Sequence, residues 1–228
     1  MDHSAEDGYD LQGYFKNLEG IEMTKPRSQP PFRALQALAG SQSGYFTAKQ
    51  AARLGYGYSH LSYHVGAQNI ERIAHGLYRM SVFPLSDQDD LVRLAFWSRN
   101  RDDEVQAVVS HASALVLHGL SDLLPDTIHL SVPPRFQKRA LVGCSLHSVR
   151  LDARDIEARE GFRVTTPLRT LLDAATAPRI SSDELAGAVA GALERGLVRR
   201  RALEQRAREF EGAGRILELL GRAGEAGA

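Results

Sequence analysis

The chain of 228 residues is 43% hydrophobic and 25% charged, a globular composition sufficient for one large domain or two small ones. Its one cysteine, Cys144, excludes an internal disulfide and fits a reducing cytoplasm, and no apolar run reaches the roughly 18 residues that cross a bilayer. The 28 Lys and Arg balance the 28 Asp and Glu, yet between residues 30 and 82 five cations (Arg33, Lys49, Arg53, Arg72, Arg79) meet one anion, Glu71, so a segment of net +4 sits in a neutral chain, the electrostatic footprint of a nucleic-acid-binding unit.

Residues 1–29 are acidic, weakly periodic and without a charged-then-apolar signal pattern; they are expected to be a mobile tail, with Met23 a candidate for the native start. In PPFRALQALAG, Phe32, Leu35 and Leu38 recur at three-residue spacing, which predicts a short amphipathic helix stopped by Gly40. GYF is a brief extended piece. Thr47 then caps AKQAARLG, with Gly55 as its left-handed stop. Ser59 is the expected cap of HLSYHVGAQN, where Leu61 and Val65 face inward and His60, Ser62 and Tyr63 outward. ERIAHGLYRM alternates apolar and polar residues on both sides of His75-Gly76 and reads as a tight hairpin.

Helix, short strand, helix, Gly-containing turn, helix and hairpin, in that order, make a winged helix-turn-helix over residues 30–82. The helix from Ser59 to about Gln68 would lie in the major groove, where Ser59, His60, Ser62 and Tyr63 offer donors and acceptors to base edges. Arg72, His75 and Arg79 in the wing, with Thr47, Lys49 and Arg53 on the preceding helix, would contact phosphates. The alternative is a protein-facing module, since the third helix carries no Lys or Arg. His60 and His64 are spaced i, i+4 like metal ligands, but no third ligand lies nearby in sequence, and no metal or cofactor is expected.

A mixed α+β domain is expected over residues 83–178. DLVRLAFWSRN is a helix, QAVVS a strand, and HASALVLHG a helix stopped by Gly119. TIHLSVPP, LVGCSLHSVRL and FRVT are extended, with Cys144 read as buried packing. Thr166-Pro167 opens the helix PLRTLLDAATAP. Residues 179–228 are helical, starting at a capping box from Ser181 to Glu184; the Arg199–Arg201 run reads as a solvated helix start.

Catalytic signatures are sparse. No Gly-rich phosphate loop, paired CxxC or Gly-x-Ser-x-Gly elbow occurs. None of Lys16, Lys25, Lys49 and Lys138 has an acidic residue two positions before it, which counts against a restriction-type nuclease. His111, His118, His129 and His147 gather in the second domain; capping and core hydrogen bonding are favoured over acid–base work for them, and a non-enzyme is expected.

The words GYFTAKQAARLGYGYSHLSYHV and NIERIAHGLYRM, followed by SHASALVLHGLSDLLPDTIHLSVP and VTTPLRTLLDAA, resemble the AbiEi-family antitoxins of type IV toxin–antitoxin systems over roughly residues 33–178. The resemblance implies a repressor that binds inverted repeats in its own promoter through the winged domain, while the rest of the chain counteracts a nucleotidyltransferase-like toxin, directly or functionally. It also places the DNA contacts on Ser59, His60, Ser62 and Tyr63 and on Arg72, His75 and Arg79. The polar stretch at Gln68 and Asn69 departs from the more basic third helix expected of the family. Arg169 and Asp173 in TPLRTLLDA are expected to form an internal ion pair. Two other readings remain: a stand-alone winged-helix regulator whose second domain senses a ligand or protein, and an enzyme built on the histidine-bearing domain.

Overall fold

The computed structural model of the protein describes residues 32–122 and 124–225; the expected N-terminal tail and the Met23 start lie outside them. The described residues open with α1 (Phe32–Gly40), β1 (Tyr45–Thr47), α2 (Ala48–Arg53), α3 (Tyr58–Gly66), β2 (Ile70–Ala74) and β3 (Leu77–Met80). Thr47 caps α2 as its sequence position predicts. Its hydroxyl accepts the Gln50 N–H at 3.1 Å, and Gln50 Oε1 accepts the Thr47 N–H at 2.8 Å, a complete capping box. The start of α3 differs from expectation. Its cap is Gly57, not Ser59, because His60 Nδ1 reaches back to accept the Gly57 N–H at 3.3 Å. The helix therefore starts at Tyr58, one residue before Ser59.

The strands order β1-β3-β2, all antiparallel, with Tyr45 opposite Arg79 and Phe46 opposite Tyr78. β3 is therefore central, and its alternate side chains enter two different environments. Tyr78 and Met80 join Leu35, Phe46, Leu61 and Ile70 in a core beneath the three helices. Arg79 points to the opposite face of the sheet, which is also covered.

That cover is α4 (Asp89–Trp97), which leads into β4 (Val108–Val109) and α5 (His111–Leu117). β5 (Ile128–Val132), β6 (Cys144–Ser148), β7 (Ile156–Ala158) and β8 (Arg163–Thr165) follow, with a 3-10 turn at Ala153–Asp155. They form a mixed five-stranded sheet ordered β6-β5-β4-β8-β7. β5 pairs with β6, and β4 with β8, in parallel; the other pairings are antiparallel. The sequence reading found β5, β6 and β8 but not β7, a three-residue edge strand too short to show a period. The sheet's core, with Val92, Leu94, Phe96, Val109, Leu130 and Val164, also takes in Tyr45 from β1. Tyr45 Oη donates to Asp89 Oδ2 at 3.2 Å, and Ser43 Oγ donates to the Glu160 carbonyl at 3.1 Å. Gly161 sits at this junction with φ +85°, and a Cβ there would come within 3.0 Å of both Val92 methyls.

The remaining helices are α6 (Pro167–Thr176), α7 (Ser182–Glu194), α8 (Arg200–Glu209) and α9 (Gly214–Glu225). Ser181 caps α7 with Glu184 as the reciprocal partner. Leu171, Leu172, Leu185, Val189, Leu203 and Ile216 are buried together in a third core. The whole is mixed α+β. No helix among the described residues is long and apolar enough to cross a membrane.

Candidate nucleic-acid interface

α3 presents a wet polar face. Ser59, Ser62 and Tyr63 are exposed, and Leu61 on the opposite side is buried. Tyr58, absent from the residues expected to contact DNA, lies in the first turn and is 76% exposed, more than Tyr63 at 68%. The signal for Tyr58 was its place one residue after Gly57, legible only once the cap was known. His60 is half-buried. Because its Nδ1 accepts from the cap, its proton sits on Nε2, so outside the helix it acts as a donor. His64 stacks on Phe32 with ring centroids 4.6 Å apart, and burial lowers its pKa; it belongs to the core edge, as its place beside Leu61 and Val65 suggested.

The cations divide. Arg72 is exposed on β2 and shares a surface depression with Val65 and Gln68 at the end of α3. His75 is exposed at the hairpin tip. Lys49 and Arg53 are exposed on α2 but lean toward the loop after α4: Lys49 Nζ donates to the Arg101 carbonyl at 3.1 Å, and Arg53 lies 3.9 Å from Asp103. The buried Asp103 carboxylate also takes Arg99 at 3.2 Å and the Thr47 hydroxyl at 3.5 Å. Thr47 is therefore occupied as a cap and as a partner of Asp103.

Arg79 departs from the expectation. It is only 4% exposed, and no phosphate can reach it in this arrangement. Its guanidinium donates to the Phe83 carbonyl, lies 4.0 Å from Glu71 and stands 5.9 Å from the centre of the Tyr45 ring. The physical reason is the central position of β3. Alternation correctly sends Arg79 away from the helical core, but the face it reaches is sealed by α4 and Tyr45 rather than by water.

The histidines of the second region also separate. His118 is buried and bonds the Thr165 carbonyl at 2.7 Å, tying α5 to β8. His111, His129 and His147 form a stack. The His111 and His147 rings are 3.6 Å apart and nearly parallel, and His129 Nδ1 lies 2.9 Å from His147 Nε2. His111 adopts φ +53°, a strained conformation for a side-chain-bearing residue. Face-to-face rings do not converge their lone pairs on one point, and no group of three ligating residues among those described is arranged to hold a metal. Burial and the neighbouring rings push His111 down to about 3 from 6.5, and burial lowers His129 and His147 too. A histidine with a depressed folded pKa contributes stability above its unfolded pKa and loses it on acidification, because the unfolded chain then binds the extra protons. The melting temperature is therefore expected to fall as pH drops below 6.5 toward about 3, and His111→Asn, which tolerates positive φ, should flatten that fall. An unchanged pH slope in the variant would remove the stack from the explanation.

No curated protein matches the chain. Among solved structures, the RV2827C protein from Mycobacterium tuberculosis is similar, at 19% identity over 83% of this chain and 80% of that one, with a TM-score of 0.41. The segment from α1 to the end of the hairpin gives the informative match: over residues 33–81 the chain matches the family of AbiEi antitoxins, described as transcriptional regulators.

Proposed function

We propose that the protein is the antitoxin of a type IV toxin–antitoxin system and represses its own promoter through a winged helix-turn-helix at residues 30–82. The observation that carries this reading is the exposed polar face of α3 (Tyr58, Ser59, Ser62, Tyr63) together with exposed cations on α2 and β2 (Lys49, Arg53, Arg72), all within the segment that matches a transcriptional-regulator family. α3 reads base edges in the major groove. The β2–β3 hairpin is the wing, with Arg72 and His75 toward the phosphate backbone. Affinity comes mostly from phosphate contacts and selectivity from α3. The operator is an inverted repeat, and the compartment is the cytoplasm. The regions 83–178 and 179–228 counteract a nucleotidyltransferase-like toxin, directly or functionally.

The test is binding of the purified full chain to DNA from its own upstream region, titrated against salt with scrambled DNA as control. Tight, selective and salt-sensitive binding is the expected result. Absence of binding at low salt would mean that the α3 face meets protein. The antitoxin half is tested by growth rescue when the chain is co-expressed with the toxin gene beside its own; no rescue would leave a regulator alone.

A further inference from the structure

We propose that the cleft between the β2–β3 hairpin and α4 binds a small amphiphilic anion, an apolar body carrying one carboxylate-like group. The cleft encloses about 750 Å³, within the roughly 300–1,000 Å³ of small-molecule sites. Ile73 and Leu77 of the hairpin, Leu94 and Trp97 of α4, and Ile128 and Cys144 of the second sheet line it. At its mouth Leu141 is 43% exposed and Val142 is fully exposed. Apolar side chains gathered around an opening, uncovered by any of the described residues, are a poor arrangement for a surface that meets only water.

The charges at the cleft select the ligand class. Three formally charged side chains line it: Asp90, Arg93 and Lys138. Asp90 and Arg93 pair with each other at 3.4 Å and cancel. Lys138 has no carboxylate partner among the described residues. Its ammonium donates instead to the carbonyls of Trp97 and Arg99, the latter at 2.8 Å, and burial lowers its pKa. A cation held only by neutral carbonyls beside an apolar wall favours an anionic headgroup, and a charge-assisted contact there would be stronger than a neutral one. Cys144 does not make the site covalent: burial pushes its thiol up, away from the reactive thiolate. Capture is therefore reversible. The hairpin that walls the cleft also carries Arg72 and His75, so the cleft lies beside the proposed DNA face.

The molecule contains its own reporter, because its single tryptophan is Trp97. The full chain is titrated with decanoate, and with decanol and decyltrimethylammonium as neutral and cationic counterparts, while Trp97 emission is followed. Decanoate is expected to produce a saturable change, with the neutral and cationic chains binding roughly tenfold more weakly or worse. Lys138→Met should abolish the preference for decanoate over decanol. Val142→Asp, at a fully exposed position, should weaken decanoate more than decanol, because the added carboxylate repels only the anion. No saturable change, equal binding of all three chains, or a decanoate response untouched by both variants would overturn the site.

Discussion

Arg169→Ala is expected to cost about 3–5 kcal/mol of stability, because it leaves a buried carboxylate without its counter-ion. Arg169 is 5% exposed and holds three groups together. Its Nε donates to Asp173 Oδ1 at 2.8 Å, its Nη1 to Asp155 Oδ2 at 3.1 Å, and its guanidinium stands 4.8 Å from the centre of the Phe210 ring. Asp155 is bridged in turn by Arg206 from α8 at 3.0 Å, so the network joins α6, the turn before β7 and the C-terminal helices. Removing Arg169 leaves Asp173 buried without a counter-ion, and its Oδ2 already lacks a hydrogen-bond partner. Arg169→Met keeps the volume but also leaves the Asp173 carboxylate without its counter-ion, while Asp155 keeps Arg206, so it should rescue little.

The pH dependence separates charge from packing. Burial raises Asp173 to about 6 from 3.8, against the pull of Arg169. A carboxyl with a raised folded pKa contributes stability below its unfolded pKa and loses it as pH rises through the folded value. That sign opposes the histidine stack. The deficit of Arg169→Ala should therefore be smaller below pH 3.8 than above 6, where Asp173 is charged. Thermal melts of the variant and parent across that range measure it. A deficit independent of pH would assign the loss to packing around Phe210.

The second large effect concerns the cations of the N-terminal unit. Lys49→Ala combined with Arg72→Ala is expected to weaken binding to operator and scrambled DNA alike, and to reduce the slope of log affinity against log salt by about two, since each phosphate neutralised contributes about 0.9. Arg79→Ala should behave oppositely. It should lower stability by about 1–3 kcal/mol, by opening space beside Tyr45 and leaving the Phe83 carbonyl without its donor, and leave the salt slope intact. Fluorescence anisotropy with a salt series distinguishes the two. A flattened slope in Arg79→Ala would mean that the sheet opens to admit DNA. Tyr63→Ala should reduce the preference for operator over scrambled sequence with little change in slope, because it carries no charge.

Much of this protein was legible in its residues. Local chemistry determined the cap at Thr47, the capping box at Ser181, the helix opened by Thr166-Pro167, the His75-Gly76 turn and the Arg169–Asp173 pair, because each is settled within four residues of chain. The order of elements in residues 32–80 followed from periodicity, and the family resemblance stated for that stretch agrees with the match over residues 33–81. What lay beyond the sequence were facts that depend on a neighbour distant in the chain. Alternation placed Arg79 off the helical core but could not say that α4 covers the other face of β3. His111 opens α5 and His118, seven residues on, caps its C-terminal end, yet one stacks on His147 of β6 and the other bonds Thr165 of β8. Cys144, expected in a buried strand, is half-exposed on the wall of a cleft formed with Ile73 and Trp97. Period and propensity report which way a side chain turns from its own backbone. Only the tertiary structure decides whether protein or water is waiting there, because that depends on which remote segment packs against the face.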